Sequence, residues 1–348
     1  MAIANPPELV GFSLTAEQER RAVDLHRSSI VVDCSSVLKQ EPSHIDRARA
    51  GGVTVTNHTV TRVTSDLAQA LREVNSCRRW IDENPNDVLL CLGVDDIYTA
   101  KKSNREAIIF GPQNTEFLGT DLGFVGTFYD LGVRIMQLTY QRQNWVGTGC
   151  GEARDGGLST FGRKVVGAMD DLGMIVDISH CGHQTGMDAI ELSKNPILIT
   201  HGHPAVLSPH VRAKEDYLLK ALAAKGGVIG LTAMSYFQYW QDRPYEWPNV
   251  TRWVEHLKYL IDLIGIDHVG VGLDFDETNT PEKWAADIAA HPEFKTHWGW
   301  DDKRIQNLTH AGDELNVTRC LVWAGFSDAE IKKVLGENFL RVFGQVWK

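Results

Sequence analysis

The 348-residue chain carries 35 basic against 45 acidic residues, a formal charge of −10, and 43% apolar residues. That length suits one α/β barrel or two smaller domains, and the apolar share is ordinary for a globular protein. So acidic a chain, without a basic stripe, argues against nucleic-acid or anionic-membrane partners, and no run approaches the ~18 apolar residues of a spanning helix.

The opening MAIANPPELVGF has no basic segment leading into an apolar core, so no signal peptide is expected and cytoplasm is the expected location. The Asn-x-Ser/Thr sequons at Asn57, Asn249, Asn307 and Asn316 then read as chance, and the six scattered cysteines as thiols without disulfides. In chain order, a polar helix over Thr15–His26 precedes a buried strand, SIVVDCSS, from Ser29 to Ser36. A short helix (Pro42–Ala50) ends at Gly51-Gly52 and leads to a second strand, Val53–Val60. A long helix follows over Asp66–Asn84, then strand candidates at Val88–Val94 and Ala107–Gln113. Further strands are expected at Val133–Thr139, Met174–His180, Ile197–His201, Gly227–Ala233 and His268–Asp276, with helical patterns between them.

Strands alternating with helices over most of the chain predict a (β/α)8 TIM-type barrel, with Val88–Val94 as the supernumerary strand. One catalytic domain is expected over 1–348, its barrel spanning about 29–276. A C-terminal helical extension, about 277–348, holds a Trp-rich segment (Pro281–Asp302) and a closing helical pair, of which Asp328–Leu335 starts at a Ser/Asp cap. In such a barrel, chemistry sits just beyond the carboxyl ends of the strands. Those ends read Ser35, His58, Gln113, Tyr140, His180, His201, Thr232 and Asp274. MIVDISH and ILITH, joined by a crossover helix, place His180 and His201 on neighbouring parallel strands, a pairing that suits a transition metal better than two chance core histidines. Asp274 is placed to ligate that metal or to take a proton from its water.

The runs GVRIMQLTYQRQN, GGLSTFGRKVVGAMDDLGMIVDISH, ILITHGHP, VGVGLDFD and GENFLRVFGQVW resemble the renal (membrane) dipeptidase family of the amidohydrolase superfamily. The resemblance runs from about Ser29 to the C-terminus. It implies hydrolysis of dipeptides and related amides with two zinc ions, and a homodimer. By resemblance, His180 and His201 match a zinc-holding pair, Asp274 the aspartate that handles the nucleophile's proton, and Arg212 the arginine that holds the substrate carboxylate. An arginine fork suits that anion. Against the same pattern, Ser35 and Val37 stand at the first strand's His-x-Asp, Gln113 at the bridging glutamate and Tyr140 at the histidine that polarises the substrate carbonyl. This implies a divergent member with one metal, zinc before iron or manganese. The third ligand is sought in His58, Gln113 or Asp274, and His203 is expected behind the ligands.

The first expectation is therefore a metal-dependent hydrolase cleaving a C–N bond in a small amino-acid derivative that bears a carboxylate. Tyr140 would steady the oxyanion and Arg212 the substrate. Two alternatives stand beside it: lyase, decarboxylase or demethylation-linked chemistry on a modified, for instance N-methylated, amino acid, and a non-catalytic binding protein on a decayed dipeptidase fold. The aromatic-rich stretch Ser235–Trp253 is expected as a pocket wall, lid or dimer face, or else as a satellite core. NWVGTGCGE (Asn144–Glu152) follows no phosphate-loop spacing and reads as a flexible loop.

Overall fold

The computed structural model describes residues 8–290 and 299–348. Residues 291–298, inside the expected Trp-rich segment, lie outside the described residues. The first half of the chain runs α1 (Ala16–Ser28), β1 (Val32–Val37), α2 (Pro42–Gly51), β2 (Val55–His58), α3 (Leu67–Glu83), β3 (Val88–Leu90), α4 (Val94–Ser103) and β4 (Glu106–Phe110). It continues through α5 (Gly123–Asp130), β5 (Ile135–Gln137), α6 (Thr160–Leu172), β6 (Ile175–Asp177), α7 (His183–Leu192) and β7 (Leu198–Gly202). Then come α8 (Asp216–Ala224), β8 (Val228–Leu231), α9 (Ser235–Gln238), α10 (Val250–Ile264), β9 (Val269–Val271) and β10 (Phe275–Asp276). The helices α11 (Pro281–Ala290), α12 (Leu315–Trp323), α13 (Asp328–Lys332) and α14 (Asn338–Val346) complete it. No described helix is long and apolar enough to cross a membrane.

All strand pairs are parallel, in two sheets ordered β10-β1-β2-β4-β3 and β5-β6-β7-β8-β9. The sheets meet at two seams. At one, Phe110 bridges Val133, and the Arg134 amide donates to the Phe110 carbonyl at 3.1 Å. At the other, the run Val269–Asp276 leaves the second sheet as β9 and enters the first as β10. The ladder is thus two sheets joined at seams where the sequence pattern predicted one closed ring. The second seam has a local cause: Asp274 takes a left-handed backbone, φ +61°, which a strand cannot hold. β3 pairs only with the first half of β4, before β5 takes over that edge.

Alternation along the strands decides which side chains reach the interior. Val32, Cys34, Val55, Ala107, Ile109, Ile135, Ile175, Leu198 and Val228 form one buried cluster, closed at the amino-terminal end by Phe339, Leu340 and Phe343 of α14. Ile108, Phe110, Val176, Ile199 and Leu231, of opposite parity, pack outward with the residues of the surrounding helices. The last helix therefore plugs the floor, and polar residues are left for the other end. The six cysteines, all among the described residues, are free thiols.

Beside β2 lies a buried ionic clip. His44 on α2 reaches Glu106 on β4 at 2.9 Å and Glu277 after β10 at 3.0 Å. Both partners are acceptors, so both ring nitrogens donate and the imidazole is a cation. Burial alone would lower its pKa, but Glu106 and Glu277 raise it to about 10. Burial works against the Glu277 carboxylate too, and the bonds from His44 and Arg47 still bring it to about 2. Because the folded His44 pKa lies above the unfolded 6.5, the clip's stability is full below about pH 6.5 and is lost as pH rises toward 10. Replacing His44 with Leu leaves the buried Glu106 carboxylate without a cation and Glu277 with Arg47 alone, and should cost about 3–5 kcal/mol. Denaturant melts should show that difference at pH 6.5 and a smaller one at pH 10; an equal difference at both would refute the clip.

Candidate active site

β6 stops at Asp177, short of the expected strand end at His180, and the turn beyond it brings His180 Nε2 to 2.9 Å from Nε2 of His201, which lies within β7. What fixes the His201 ring is a relay of hydroxyls on one carboxylate. Asp177, pointing inward at the end of β6, accepts Thr200 Oγ1 at 2.7 Å and Ser179 Oγ at 2.5 Å, as well as the amides of Ser179 and Thr200. Its hydrogen committed, Thr200 Oγ1 can only accept from His201 Nδ1 at 2.9 Å. His201 Nε2 is therefore left with a bare lone pair aimed at His180. Burial, with repulsion from Arg212 and Lys214, holds His201 well below the usual imidazole range, and so neutral. Neutral, orientation-locked imidazoles are the donors a divalent transition metal takes, and a hydroxyl–carboxylate relay behind one of them is the support such ligands receive. The pair fits a metal. Among the described residues no third His, Cys, Asp or Glu converges with them.

Two glycines make room for this geometry. A Cβ at Gly230 or Gly272 would overlap the Thr200 carbonyl oxygen, so β8 and the residue after β9 can approach Thr200 only without side chains there.

Tyr140 stacks on His180 with ring centroids 4.0 Å apart. Burial, reinforced by the charge of Asp274, pushes its phenol up, so it remains a hydrogen-bond donor at neutral pH. Across the mouth, Gln113 Nε2 donates to Ser35 Oγ at 3.2 Å, and the Asp274 amide donates to the Ser35 carbonyl at 3.0 Å. Burial raises the Asp274 carboxyl to about 6, against the pull of Arg304 and Arg212. Its unusual backbone is clamped one residue earlier. Asp33 Oδ1 accepts the Leu273 amide at 2.9 Å, while Arg304 Nη1 donates to the Leu273 carbonyl at 3.1 Å. Arg212, almost wholly buried, donates to the carbonyls of Ser179 and His201 directly behind the histidine pair.

A sequence model of the membrane dipeptidase family, peptidase family M19, matches residues 20–311. The chain belongs to this family. An amidohydrolase from Pseudomonas aeruginosa is 31% identical, with a TM-score of 0.85 over 94% of this chain and 99% of that one. A dipeptidase of Claviceps purpurea is 28% identical over 284 residues, 81% of this chain and 61% of its own length. The dipeptidase AC structure, described as a metallopeptidase, shares the fold at 18% identity, TM-score 0.77, over 92% of this chain and 99% of that one. The chain spans 56% to 61% of the length of the curated relatives it matches.

Within this family member, some expected site residues stand elsewhere. His58 is a correction. Val55 and Asn57 of β2 face inward, so Thr56 and His58 face α2. His58 Nδ1 accepts the Leu38 amide at 3.2 Å, and burial holds its pKa near 4 beside the charged His44. It does not join the histidine pair. His203 lies beyond the end of β7, stacks on Phe237 at 4.6 Å and bonds the Ser208 carbonyl, so it supports the loop leading to Arg212. Gln113 is bonded to Ser35, on the Asp274 side of the mouth. The loop Asn144–Glu152, expected to be flexible, is tied down: Asn144 Oδ1 takes the amides of Val146 and Gly147, and the Cys150 amide donates to the His180 carbonyl at 2.8 Å. In the aromatic stretch Trp253 is fully buried, whereas Tyr245 is 80% exposed, so core and surface share it. Asp177, Thr200, Asp33 and Arg304 were not singled out in the sequence. The first two had a signal, an acid three residues before His180 and a hydroxyl one before His201; Arg304 had none.

Proposed function

We propose that this chain is a metal-dependent hydrolase of a C–N bond in small, dipeptide-like amino-acid derivatives. The observation that carries the reading is the facing pair of Nε2 atoms, with His201 held in one tautomer by Thr200 and Asp177. His180 and His201 would hold one metal, zinc by the family's chemistry, with oxygen donors or water in its other positions. A metal so held supplies Lewis acidity to a water or a substrate carbonyl at neutral pH.

The chain's own residues do the rest. Asp274, ionised near neutrality and fixed by the Leu273 clamp, takes the proton of the attacking water and returns it to the leaving amine. Tyr140, kept protonated by burial, donates to the oxygen that gathers charge in the tetrahedral state. The two Arg212 bonds to backbone carbonyls leave other N–H groups of its fork for a substrate carboxylate.

The test is amine release from a panel of dipeptides by metal-loaded protein, each compared with its C-terminal amide. Free-carboxylate substrates should be favoured about 10–100-fold in kcat/KM, since losing a charge-assisted bond costs about 1.5–3 kcal/mol. Arg212→Met should erase that preference. No amine release from any member of the panel would refute the reading.

A further inference from the structure

A cavity of about 540 Å3 opens at the opposite end of the strands from His180 and His201. It lies between α1, α2 and α4, over the amino-terminal ends of β2 and β4. The proposed chemistry makes no use of it. Its volume is that of a small-molecule site. Four cations line it, Arg27, Arg49, Lys101 and Arg105, against two carboxylates, Asp87 and Glu106.

Both carboxylates are already engaged. Asp87 pairs with Arg49 at 2.6 Å, and Glu106 is held by His44 and Thr56. Among the described residues no carboxylate makes an ion pair with Arg27, Lys101 or Arg105. Arg105 is nonetheless oriented, by bonds from Nε to Ser103 Oγ at 2.9 Å and from Nη1 to the Pro85 carbonyl at 3.1 Å. Burial pulls the unpaired Lys101 ammonium below the usual lysine range.

Cations in the last turns of α2 and α4 complement the helix dipoles, and that would be reason enough if the helix ends were open. They are closed. Gly52 and Asn104, both left-handed, donate their amides to the last carbonyls of those helices. What remains is a positive enclosure in a chain of charge −10. Val23, Ile45 and Leu315 add apolar surface to it, beside the polar His26, Thr54 and Asn104.

We propose that this cavity is a second binding site, for a small molecule that joins a compact anionic head, phosphate or carboxylate, to an apolar body. Such a ligand would bridge α1, α2 and α4 and stabilise the fold by mass action. The test is calorimetric titration of the metal-loaded full chain with phenyl phosphate and, separately, with phenylacetate at low salt. Saturable one-to-one binding of at least one probe is expected, and the stronger of the two identifies the head group. Lys101→Met and Arg105→Met should each weaken binding about tenfold or more, with the ligand-free melting temperature unchanged in at least one of them. Lys101→Arg should bind as wild type. Arg212→Met should leave binding intact, which separates this site from the candidate active site. No saturable binding of either probe at millimolar concentration would overturn the proposal. So would binding that survives Lys101→Met and Arg105→Met, or that disappears with Arg212→Met.

Discussion

Asp274→Asn is expected to lower kcat by about 10²–10⁴-fold, the usual yield of a positioned general base. The substitution is nearly isosteric, and asparagine tolerates the left-handed backbone that Asp274 adopts at φ +61°. Three bonds that shape this corner are made to backbone groups: the Asp274 amide to the Ser35 carbonyl, and the Leu273 peptide to Asp33 and Arg304. They survive the change, so fold and metal content should be those of the wild type. The loss should fall on kcat with little change in KM, because Arg212, on the far side of the mouth, is untouched. Steady-state kinetics on the best dipeptide substrate check this. Retention of more than about a tenth of kcat would place the base elsewhere.

His201→Ala should remove detectable turnover altogether. It deletes one of two nitrogen donors that face each other 2.9 Å apart, and alanine leaves a cavity where the ring was. A milder change separates ligand from support. Thr200→Val keeps the ring but removes the hydroxyl that links His201 Nδ1 to Asp177, so His201 loses the bond that dictates its tautomer. Metal affinity should fall about 10–100-fold, the range for residues behind a ligand, with activity restored by added metal. Activity in His201→Ala that no chelator removes would set both arguments aside.

The strand ends were legible because the chemistry of a barrel concentrates there and the β-branched runs before His180 and His201 are unambiguous. The crossover between them is short enough to force parallel neighbours. His58 was read by the same rule and stands apart from the pair. In the sequence it closes a β-branched run as His180 does, but its parity on β2 turns it toward α2, and parity depends on where the strand begins within a longer apolar run. The Leu273 clamp was illegible for another reason. Arg304 comes from far along the chain, through a bridge to Met234, and nothing local marks an arginine that will bond a distant carbonyl. The seam at Asp274 was hidden too, since GVGLDFD reads as one continuous strand until a left-handed residue divides it.

The most direct measurement is metal per chain on protein purified without added metal, compared among the wild type, His201→Ala and His58→Ala. One metal in the wild type, absent from His201→Ala and retained in His58→Ala, is the predicted result. Metal retained in His201→Ala, or lost from His58→Ala, would contradict a centre built on His180 and His201.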